Sequence, residues 1–288
     1  MPSSALSWKP KMERSVEIIC IGNELLIGKT LNTNAQWLSK RIATLGLNVS
    51  RIIIIGDQVS EISDIIREGV QRKPIFIITT GGLGPTFDDK TLEGIAKALN
   101  RPLEIHEHAL QMIRKKYQQF TEEGLVKKRI ELTRPRIKMA TLPRGANPLH
   151  NPIGTAPGVL LKQNNVAVIA LPGVPPEMEA IFDKSVVPLL KEVAGNVTFY
   201  EASISVAGIM ESEVAPLIDK TMHDNPCVYV KSHPFGGEGV PHLELHFTTS
   251  AHNSNIAKKH VSRTMLQITE LIQAKGGKVK PAKLDGKT

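Results

Sequence analysis

The stretch Ile75–Asp89, Ile-Phe-Ile-Ile-Thr-Thr-Gly-Gly-Leu-Gly-Pro-Thr-Phe-Asp-Asp, decides the fold of this chain. It begins with apolar β-formers without polar alternation, which is typical of a central strand buried on both faces. Glycines at Gly81–Gly84 follow, and apolar residues then recur at helical spacing across Leu92–Leu99. The stretch therefore predicts a strand, a glycine loop and a helix, and Thr86 and Asp89 have the spacing of a capping box at the helix start.

A glycine loop before a helix is suited to phosphate, because its backbone N–H groups can converge and the helix start adds partial positive charge. Asp88 and Asp89 lie at the mouth of this loop, where they would repel a bare phosphate. A divalent cation that bridges carboxylate and phosphate oxygens would resolve this conflict. The alternative is that both acids only complement the helix dipole. We expect a functional role for at least one of them.

The composition limits the class of protein. With 288 residues, of which 41% are hydrophobic, the chain can form one large domain or two moderate ones. It has neither an apolar run of about 18 residues nor a signal-peptide core, so we expect a cytoplasmic protein without a membrane partner. Its two cysteines, Cys20 and Cys227, make neither a metal cluster nor a disulfide framework.

The formal net charge of +8 favours anionic partners. Lysine and arginine are nevertheless dispersed, and their densest groups are 114–116, 127–129 and the C-terminal lysines. These groups lack interleaved aromatic residues, so solvated helix faces are a better interpretation than a nucleic-acid surface. A nucleic-acid partner is not expected.

Two further strand–helix units precede the central one. Apolar strands are predicted at Val16–Ile21 and Val49–Ile55, both buried, with helices capped by Asn32 or Thr33 and by Ser60. Three such units in a row predict a parallel sheet with helices on both faces.

In such sheets, ligands bind beyond the carboxyl ends of the strands. Glu24, Asp57 and Gly81–Asp89 all follow predicted strands. We therefore expect the site at this edge of the sheet. The segment Gly22–Thr30 resembles a Walker A loop, but it has five residues between its glycines instead of four, and Glu24 would face the phosphates, so an ATPase loop is rejected.

The rest of the chain predicts a change of architecture. Residues 103–133 read as helical, Ile137–Leu142 as a short strand and Pro143–Gly158 as a long loop. A hairpin at 159–171 leads into a proline-started helix that ends near Val193. The expected divisions are a disordered leader at 1–14 (with Met12 an alternative start), a first domain at 15–196, a small α+β domain at 197–275 and a flexible basic tail at 276–288.

Other catalytic signatures are weak. His242 and His246 share one face of a predicted strand, but no third ligand is evident, so a zinc site is not expected. The segment Gly236–Gly239 reads as a loop tip, and no serine occupies a G-x-S-x-G elbow.

Six motifs in order resemble the N-terminal region of the competence/damage-inducible protein CinA, a MoaB/Mog-like molybdopterin-binding domain. The resemblance covers about residues 16–195, and residues 198–275 resemble the small KH-like domain that follows in CinA. The motifs are Gly22-Asn23-Glu24-Leu25-Leu26-x-Gly28, Asn32-Thr33-Asn34, Gly56-Asp57, Thr79-Thr80-Gly81-Gly82-Leu83-Gly84-Pro85-Thr86-x-Asp88-Asp89, Asn151-Pro152-x-Gly154-Thr155-Ala156-Pro157-Gly158 and Leu171-Pro172-Gly173-Val174-Pro175-x-Glu177-Met178.

The resemblance implies a three-layer α/β/α domain with a mostly parallel sheet, a homo-oligomer, and a nucleotide or pterin as ligand of the glycine loop. CinA-type domains are linked to metal-dependent ADP-ribose pyrophosphatase activity, related domains of FAD synthases to FAD hydrolysis, and Mog-type relatives to molybdopterin binding and adenylylation. Two departures matter. CinA's C-terminal amidohydrolase domain is not expected here, and Gly82-Leu83-Gly84 stands where Mog-type proteins carry Gly-Gly-Thr-Gly.

Our hypothesis is metal-dependent hydrolysis of an ADP-ribose-like pyrophosphate. Catalytic roles are predicted for Asp57, Asp88 and Asp89, and Mg²⁺, Mn²⁺ or Co²⁺ would be held by Asp88 and Asp89, with Glu24 or Asp57. Asp57 has an alternative role as a cap of the turn before Ser60. The residues predicted to contact the nucleotide or its phosphates are Gly22, Glu24, Asn34, Thr80, Gly81, Gly82, Gly84, Thr86, Asn151, Gly154, Thr155, Gly173, Pro175 and Glu177.

Two other functions compete with this hypothesis. A molybdopterin-binding or adenylyl-transfer protein of molybdenum cofactor biosynthesis would bind a pterin tightly and hydrolyse little. A non-catalytic nucleic-acid or scaffold protein would bind through its basic surface in a salt-sensitive manner.

Overall fold

The computed structural model describes residues 15–124, 131, 133–195, 197–235 and 242–282. Within this part the chain divides into two compact units that separate after Ala194, with Thr44–Gly46 grouped with the second unit. The predicted leader at 1–14, the basic group at 127–129 and the loop tip at 236–239 lie outside the described residues. In the described part, no helix is both long and apolar enough to cross a membrane.

The first unit alternates strands and helices in the predicted manner. Its elements are β1 (Ser15–Ile21), α1 (Asn23–Leu26), α2 (Thr33–Thr44), β2 (Asn48–Ile55), α3 (Val59–Arg72), β3 (Phe76–Thr80), α4 (Thr91–Ala98), β4 (Leu103–Ile105), α5 (Glu107–Glu122), α6 (Arg134–Met139), β5 (Thr141–Pro143), β6 (Asn147–Leu149), β7 (Gly158–Gln163), β8 (Val166–Leu171), α7 (Pro175–Ile181) and α8 (Val187–Ala194). A π-helical segment, Phe182–Val186, joins α7 to α8.

A six-stranded sheet of order β2-β1-β3-β8-β7-β6 forms the centre of this unit. The first four of these strands are parallel, whereas β7 and β6 are antiparallel to their neighbours. Ile19 and Ile77 pack in one apolar cluster with residues of α3 and α4. The alternating residues Ile18 and Ile78 are also fully buried, so the sheet is covered on both faces. The predicted α/β fold with a mostly parallel sheet is confirmed.

Strand β2 is the edge of this sheet, and the prediction that it is buried is wrong. The side chains of Ile52 and Ile54 are 49% and 40% exposed. The run of isoleucines indicates a buried strand. Hydrophobicity does not determine the order of strands in the sheet, however, and β2 is exposed because it lies at the edge. At the centre of the sheet, β3 is buried throughout, as predicted.

Several predicted boundaries differ from the structure. Helix α3 is capped at Gln58 instead of Ser60, and α4 begins at Thr91, five residues after Thr86. The predicted strand at Ile137–Leu142 is replaced by the end of α6 and by β5. The long loop before β7 contains one short strand, β6.

The second unit is an α+β structure, as predicted. It contains β9 (Thr198–Ala207), α9 (Glu211–Asp224), β10 (Tyr229–Phe235), β11 (His242–Ala251), α10 (Ser254–Ala274) and β12 (Lys278–Pro281). The strands form an antiparallel sheet of order β10-β11-β9-β12. A βαββαβ chain with this strand order is the ferredoxin-like arrangement. Because β12 pairs with β9, the prediction of a flexible tail from residue 276 is wrong for residues 278–281.

Candidate functional site

The carboxyl ends of the four parallel strands meet at one edge of the sheet, where the sequence places its glycine motifs. The backbone N–H of Gly22 donates to the carbonyl of Ile55 at 3.0 Å, which ties the end of β1 to the end of β2. The N–H of Gly81 donates to the carbonyl of Leu171 at 3.0 Å and ties β3 to β8 in the same way. These bonds place the segments after all four strands side by side.

Gly81 cannot be replaced by a larger residue without a backbone shift. Its φ is 104°, and a Cβ there would overlap the carbonyl oxygen of Ile21. A Cβ on Gly173 would lie 3.4 Å from the Cα of Gly81. The ends of β1, β3 and β8 are therefore in near contact through backbone alone, which is the physical reason for glycine in this loop.

The helix after the loop is held by Thr91 rather than by the predicted capping box. The hydroxyl of Thr91 donates to the carbonyl of Gly81 at 2.7 Å, and its N–H donates to the carbonyl of Gly82 at 3.2 Å. Thr86 instead closes a separate turn, in which its N–H donates to Asp89 Oδ2 at 2.7 Å and its hydroxyl contacts oxygens of Asp88 and Asp89. The Thr86 hydroxyl thus orients the two carboxylates.

A cavity of about 420 Å³ opens beside this loop, and we call it the acidic cavity. Five carboxylates line it, each of them predicted as a site residue: Glu24, Asp57, Asp88, Asp89 and Glu177. The other lining residues are Ile21, Gly22, Gly81, Gly82, Leu83, Gly84, Pro85, Met139, Thr155, Ala156, Pro172, Gly173 and Val174.

The carboxylates of this cavity influence one another. Burial raises the pKa of Asp57, and the charges of Glu24, Asp88 and Asp89 raise it further. A hydrogen bond from the backbone N–H of Asn23 to Asp57 Oδ2, at 2.9 Å, acts in the opposite direction. The pKa of Asp88 is lowered, chiefly by its hydrogen bond with the Thr86 hydroxyl. The alternative prediction was that Asp57 caps the turn before Ser60. In the structure Asp57 instead accepts a hydrogen bond from the first residue of α1, and Gln58 is the N-cap of α3.

The far wall of the acidic cavity is held by a buried amide. Asn151 Nδ2 donates to Glu177 Oε2 at 2.7 Å and to the carbonyl of Ala156 at 2.8 Å. Its Oδ1 accepts from the N–H of Gly154 at 2.8 Å. A Cβ on Gly154 would overlap the Glu177 carboxylate, so glycine permits this close approach. The predicted residues Asn151, Gly154 and Glu177 therefore form one hydrogen-bonded unit.

Three predicted residues lie in a smaller adjoining cavity of about 80 Å³, not in the acidic cavity. Asn34, Thr80 and Pro175 line it, and it shares Glu24 with the acidic cavity. Asn34 Nδ2 donates to the carbonyl of Gly173 at 2.9 Å. The structure therefore gives Asn34 a supporting contact behind the loop, and a direct contact with ligand stays a prediction.

The donor set suits a hard cation. In the described residues, no three His, Cys, Asp or Glu side chains are placed to hold a metal ion by themselves. Carboxylate oxygens are nevertheless the ligands that Mg²⁺ prefers, and this ion usually keeps waters and takes further ligands from substrate phosphates. A cation bound beside Asp88 and Asp89 would complete its shell in this way.

A second group of residues near the site is not predicted by any motif of the sequence. A separate cavity of about 280 Å³ lies on the other side of Thr155, and we call it the basic cavity. Lys115, Lys116 and His108 of α5 line it together with His150. The basic group 114–116 is predicted from the sequence as part of a solvated helix face, but the helical spacing of residues 108, 112, 115 and 119 places Lys115 on the face that lines this cavity.

The structure thus defines an α/β domain with a glycine-loop site at the carboxyl edge of a mostly parallel sheet. Residues 17–192 match the family described as "Probable molybdopterin binding domain". The chain belongs to this family.

Similar proteins extend across most of the chain. A protein of Aeropyrum pernix is 42% identical over 263 residues, which cover 91% of this chain and 95% of that protein. A protein of Pyrobaculum aerophilum is 44% identical over 261 residues, covering 90% of this chain and 95% of that protein. Both matches are longer than the first unit, so both extend into the second.

Among solved structures, the protein CinA with unknown function from Thermoplasma acidophilum is 37% identical. It has a TM-score of 0.55 and covers 64% of this chain and 99% of its own. This similarity confirms the resemblance to CinA that the six motifs indicated.

Proposed function

We propose that this chain hydrolyses the pyrophosphate bond of an ADP-ribose-like nucleotide with the help of a divalent cation. The observation that supports this proposal is the convergence of Glu24, Asp57, Asp88 and Asp89 on the glycine loop in one cavity. Four carboxylates would repel a phosphate that bound through backbone N–H groups alone. A cation between them removes that repulsion, and pyrophosphate hydrolysis is a reaction that requires such charge neutralisation.

The loop would hold one phosphate of the substrate. A Cβ on Gly84 would lie 2.6 Å from Asp89 Oδ2, so glycine allows the loop backbone and this carboxylate to approach each other closely. Backbone N–H groups of Gly82–Gly84 would bind the phosphate oxygens next to the cation held by Asp88 and Asp89. In this arrangement the Thr86 hydroxyl orients the carboxylates, which refines its predicted role as a direct phosphate ligand.

Asp57 is the best placed general base. It lines the acidic cavity but does not share the Thr86 contact that engages Asp88 and Asp89, so it is the carboxylate available to act on water. The Asn23 N–H orients one of its oxygens, and the other would take the proton of the attacking water. The bound cation would polarise the phosphoryl group and lower the pKa of water. Glu177, fixed by Asn151, would limit the far side of the substrate.

The test is hydrolysis of ADP-ribose, FAD and NAD with Mg²⁺, Mn²⁺ or Co²⁺, measured for wild type, Asp89→Asn and Glu192→Gln. Asp89→Asn keeps an acceptor for the Thr86 N–H but removes the charge. Glu192 is a matched control, because it lies near Ile75 and Phe76 at the opposite end of the strands. We expect chelator-sensitive turnover that falls at least about a hundredfold in Asp89→Asn only. Equal turnover in all three proteins, or none on any substrate, would overturn the proposal.

A second candidate function is binding of molybdopterin, with or without adenylyl transfer. It is supported by the family match over residues 17–192. This function predicts tight, metal-independent binding of a pterin and little hydrolysis of ADP-ribose. Pterin fluorescence titration, run beside the hydrolysis assay, distinguishes the two functions. The homo-oligomer also stays a proposal, and light scattering of the purified chain measures it.

A further inference from the structure

The basic cavity, of about 280 Å³, has no role in the proposed reaction. Helix α5 contributes one wall, and the segment 150–157 contributes the other. No carboxylate is among its lining residues, in contrast to the acidic cavity. The complete lining is His108, Met112, Lys115, Lys116, Gln119, His150, Asn151, Gly154, Thr155 and Pro157.

One segment of chain forms a wall of both cavities. Thr155 lines the acidic cavity and the basic cavity. Asn151 fixes this segment to Glu177 on the acidic side, at 2.7 Å. Lys116 Nζ donates to the carbonyl of Pro152 at 2.8 Å and fixes it on the basic side. The two cavities therefore share a wall, which is formed by this short segment and anchored by side chains on both sides.

The electrostatic environments of the two cavities are opposite. The pKa of His150 is lowered, first by burial and then by the positive charges of Lys184 and Lys116. The pKa of Asp57 is raised in part by neighbouring negative charges. Positive charges thus act on His150 in the basic cavity, and negative charges act on Asp57 in the acidic cavity.

We propose that the basic cavity is a second anion subsite, which binds a phosphate monoester of the molecule whose pyrophosphate lies in the acidic cavity. This inference rests on the proposed function and names its substrate class: a nucleotide pyrophosphate that carries an additional phosphate away from the hydrolysed bond. Lysine ammonium groups bind phosphate as point charges. An uncharged ribose would gain only hydrogen bonds from Lys115 and Lys116, whereas a phosphate would also neutralise their charges.

The experiment compares ligands that differ by one phosphate. Calorimetry measures the Kd of ADP-ribose, ADP-ribose 2′-phosphate and ADP-ribose 1″-phosphate, which carry the extra group at either end, and a hydrolysis assay measures KM for the same three. The proteins are wild type, Lys115→Ala, His108→Gln and Arg114→Ala. Arg114 is the control, because it is exposed on the same helix but does not line the cavity.

We expect wild type to bind one phosphorylated ligand about tenfold or more tightly than ADP-ribose, the size of one charge-assisted contact. Lys115→Ala should reduce this preference to less than about threefold, and His108→Gln should reduce it partly. Arg114→Ala should keep the wild-type preference. Equal affinity for all three ligands in wild type, or the same loss in Arg114→Ala as in Lys115→Ala, would overturn the subsite.

The two readouts separate this inference from the proposed function. Hydrolysis without any preference for a phosphorylated ligand would contradict the subsite and support the proposed pyrophosphatase activity. If wild type binds a phosphorylated ligand preferentially, Lys115→Ala abolishes this preference and no ligand is hydrolysed, the subsite would be supported and the pyrophosphatase activity contradicted.

Discussion

Asn151 donates a hydrogen bond from Nδ2 to Glu177 Oε2 at 2.7 Å, and this bond joins two motifs that are 26 residues apart. The amide of Asn151 is buried, and its Oδ1 also accepts from the N–H groups of Ile153 and Gly154. One side chain thereby shapes the turn of its own segment and fixes that segment to the first turn of α7. Both cavities depend on this bond for their common wall.

Replacing Asn151 by Asp should destabilise the protein in a pH-dependent way. The new carboxylate still accepts from the N–H groups but donates nothing, and it faces Glu177. We expect a loss of about 2 kcal/mol in the free energy of unfolding at pH 7. The charge of Glu177 raises the pKa of the new carboxyl in the folded state, so the folded protein binds more protons and the penalty grows as pH rises.

Urea denaturation at pH 7 and pH 5 measures this effect. The double variant Asn151→Asp with Glu177→Gln should recover part of the stability at pH 7, because glutamine can donate to the aspartate. A penalty that is the same at both pH values, or a double variant no better than the single one, would contradict the like-charge explanation.

The sequence placed Asn151 and Glu177 in the site but did not pair them. A motif identifies residues that belong together functionally, whereas a hydrogen bond between distant segments depends on the fold. The same limit explains why the basic cavity was not predicted. Its lysines belong to one recognisable helix, α5, but its second wall is formed by the distant loop 150–157. The convergence of the predicted site residues at one edge of the sheet was predictable, because strand ends in a parallel sheet meet there by geometry alone.

Gly81→Ala should be far more damaging than an equivalent change at Gly28. Both glycines have positive φ, 104° and 70°, but a Cβ on Gly28 has nothing within 4 Å, whereas one on Gly81 overlaps the Ile21 carbonyl. Gly28→Ala should therefore cost about 1 kcal/mol, for backbone strain only. Gly81→Ala should cost about 3 kcal/mol, because two strand ends must also separate. Urea denaturation measures the unfolding free energy of the two variants. Equal losses would mean that the ends of β1 and β3 can move apart at little cost.

Arg72→Ala should remove the closer of two arginine partners from a buried carboxylate, because Arg51 Nε also lies 3.7 Å from Glu17 Oε1. Arg72 Nε and Nη2 donate to the two oxygens of Glu17 at 2.8 and 2.7 Å, and the Glu17 side chain is 3% exposed. We expect a loss of about 3 kcal/mol in unfolding free energy. Arg67→Ala, which breaks an exposed pair with Asp64 and a hydrogen bond to the Ser63 hydroxyl, is the control and should cost about 1 kcal/mol. Similar losses for both variants would show that Arg51 or water compensates the charge of Glu17 once Arg72 is removed.

Local sequence patterns predicted where strands and helices lie better than they predicted how exposed these elements are. The central strand β3 follows directly from its apolar run. The exposure of β2 does not, because strand order is decided by packing of the whole sheet. The start of α4 was misplaced for another reason: Thr86 and Asp89 have the spacing of a capping box, but they use it to close a turn among carboxylates.

Asp57→Asn should stabilise the protein in the absence of ligand. The raised pKa of Asp57 means that the folded protein binds this proton more tightly than the unfolded chain. The contribution of Asp57 to stability therefore falls as pH rises through its folded-state pKa. The variant should gain a few tenths of a kcal/mol at pH 7, a small value because the group is partly exposed, and the gain should vanish at pH 3. Thermal unfolding at both pH values tests this, and destabilisation at pH 7 would contradict the charge repulsion.

Cation and phosphate should bind cooperatively at the acidic cavity. In the described residues no side-chain group is placed to hold a metal ion alone, so under the proposed function phosphate oxygens would supply part of the ligand set. Mn²⁺ or AMP separately should therefore raise the Tm by little, and both together by more than the sum of the two shifts. Asp89→Asn should abolish this excess, whereas Glu192→Gln, at the opposite end of the strands, should retain it. A full Mn²⁺ shift without AMP would mean that Glu24, Asp57, Asp88 and Asp89 rearrange into a complete metal site on their own.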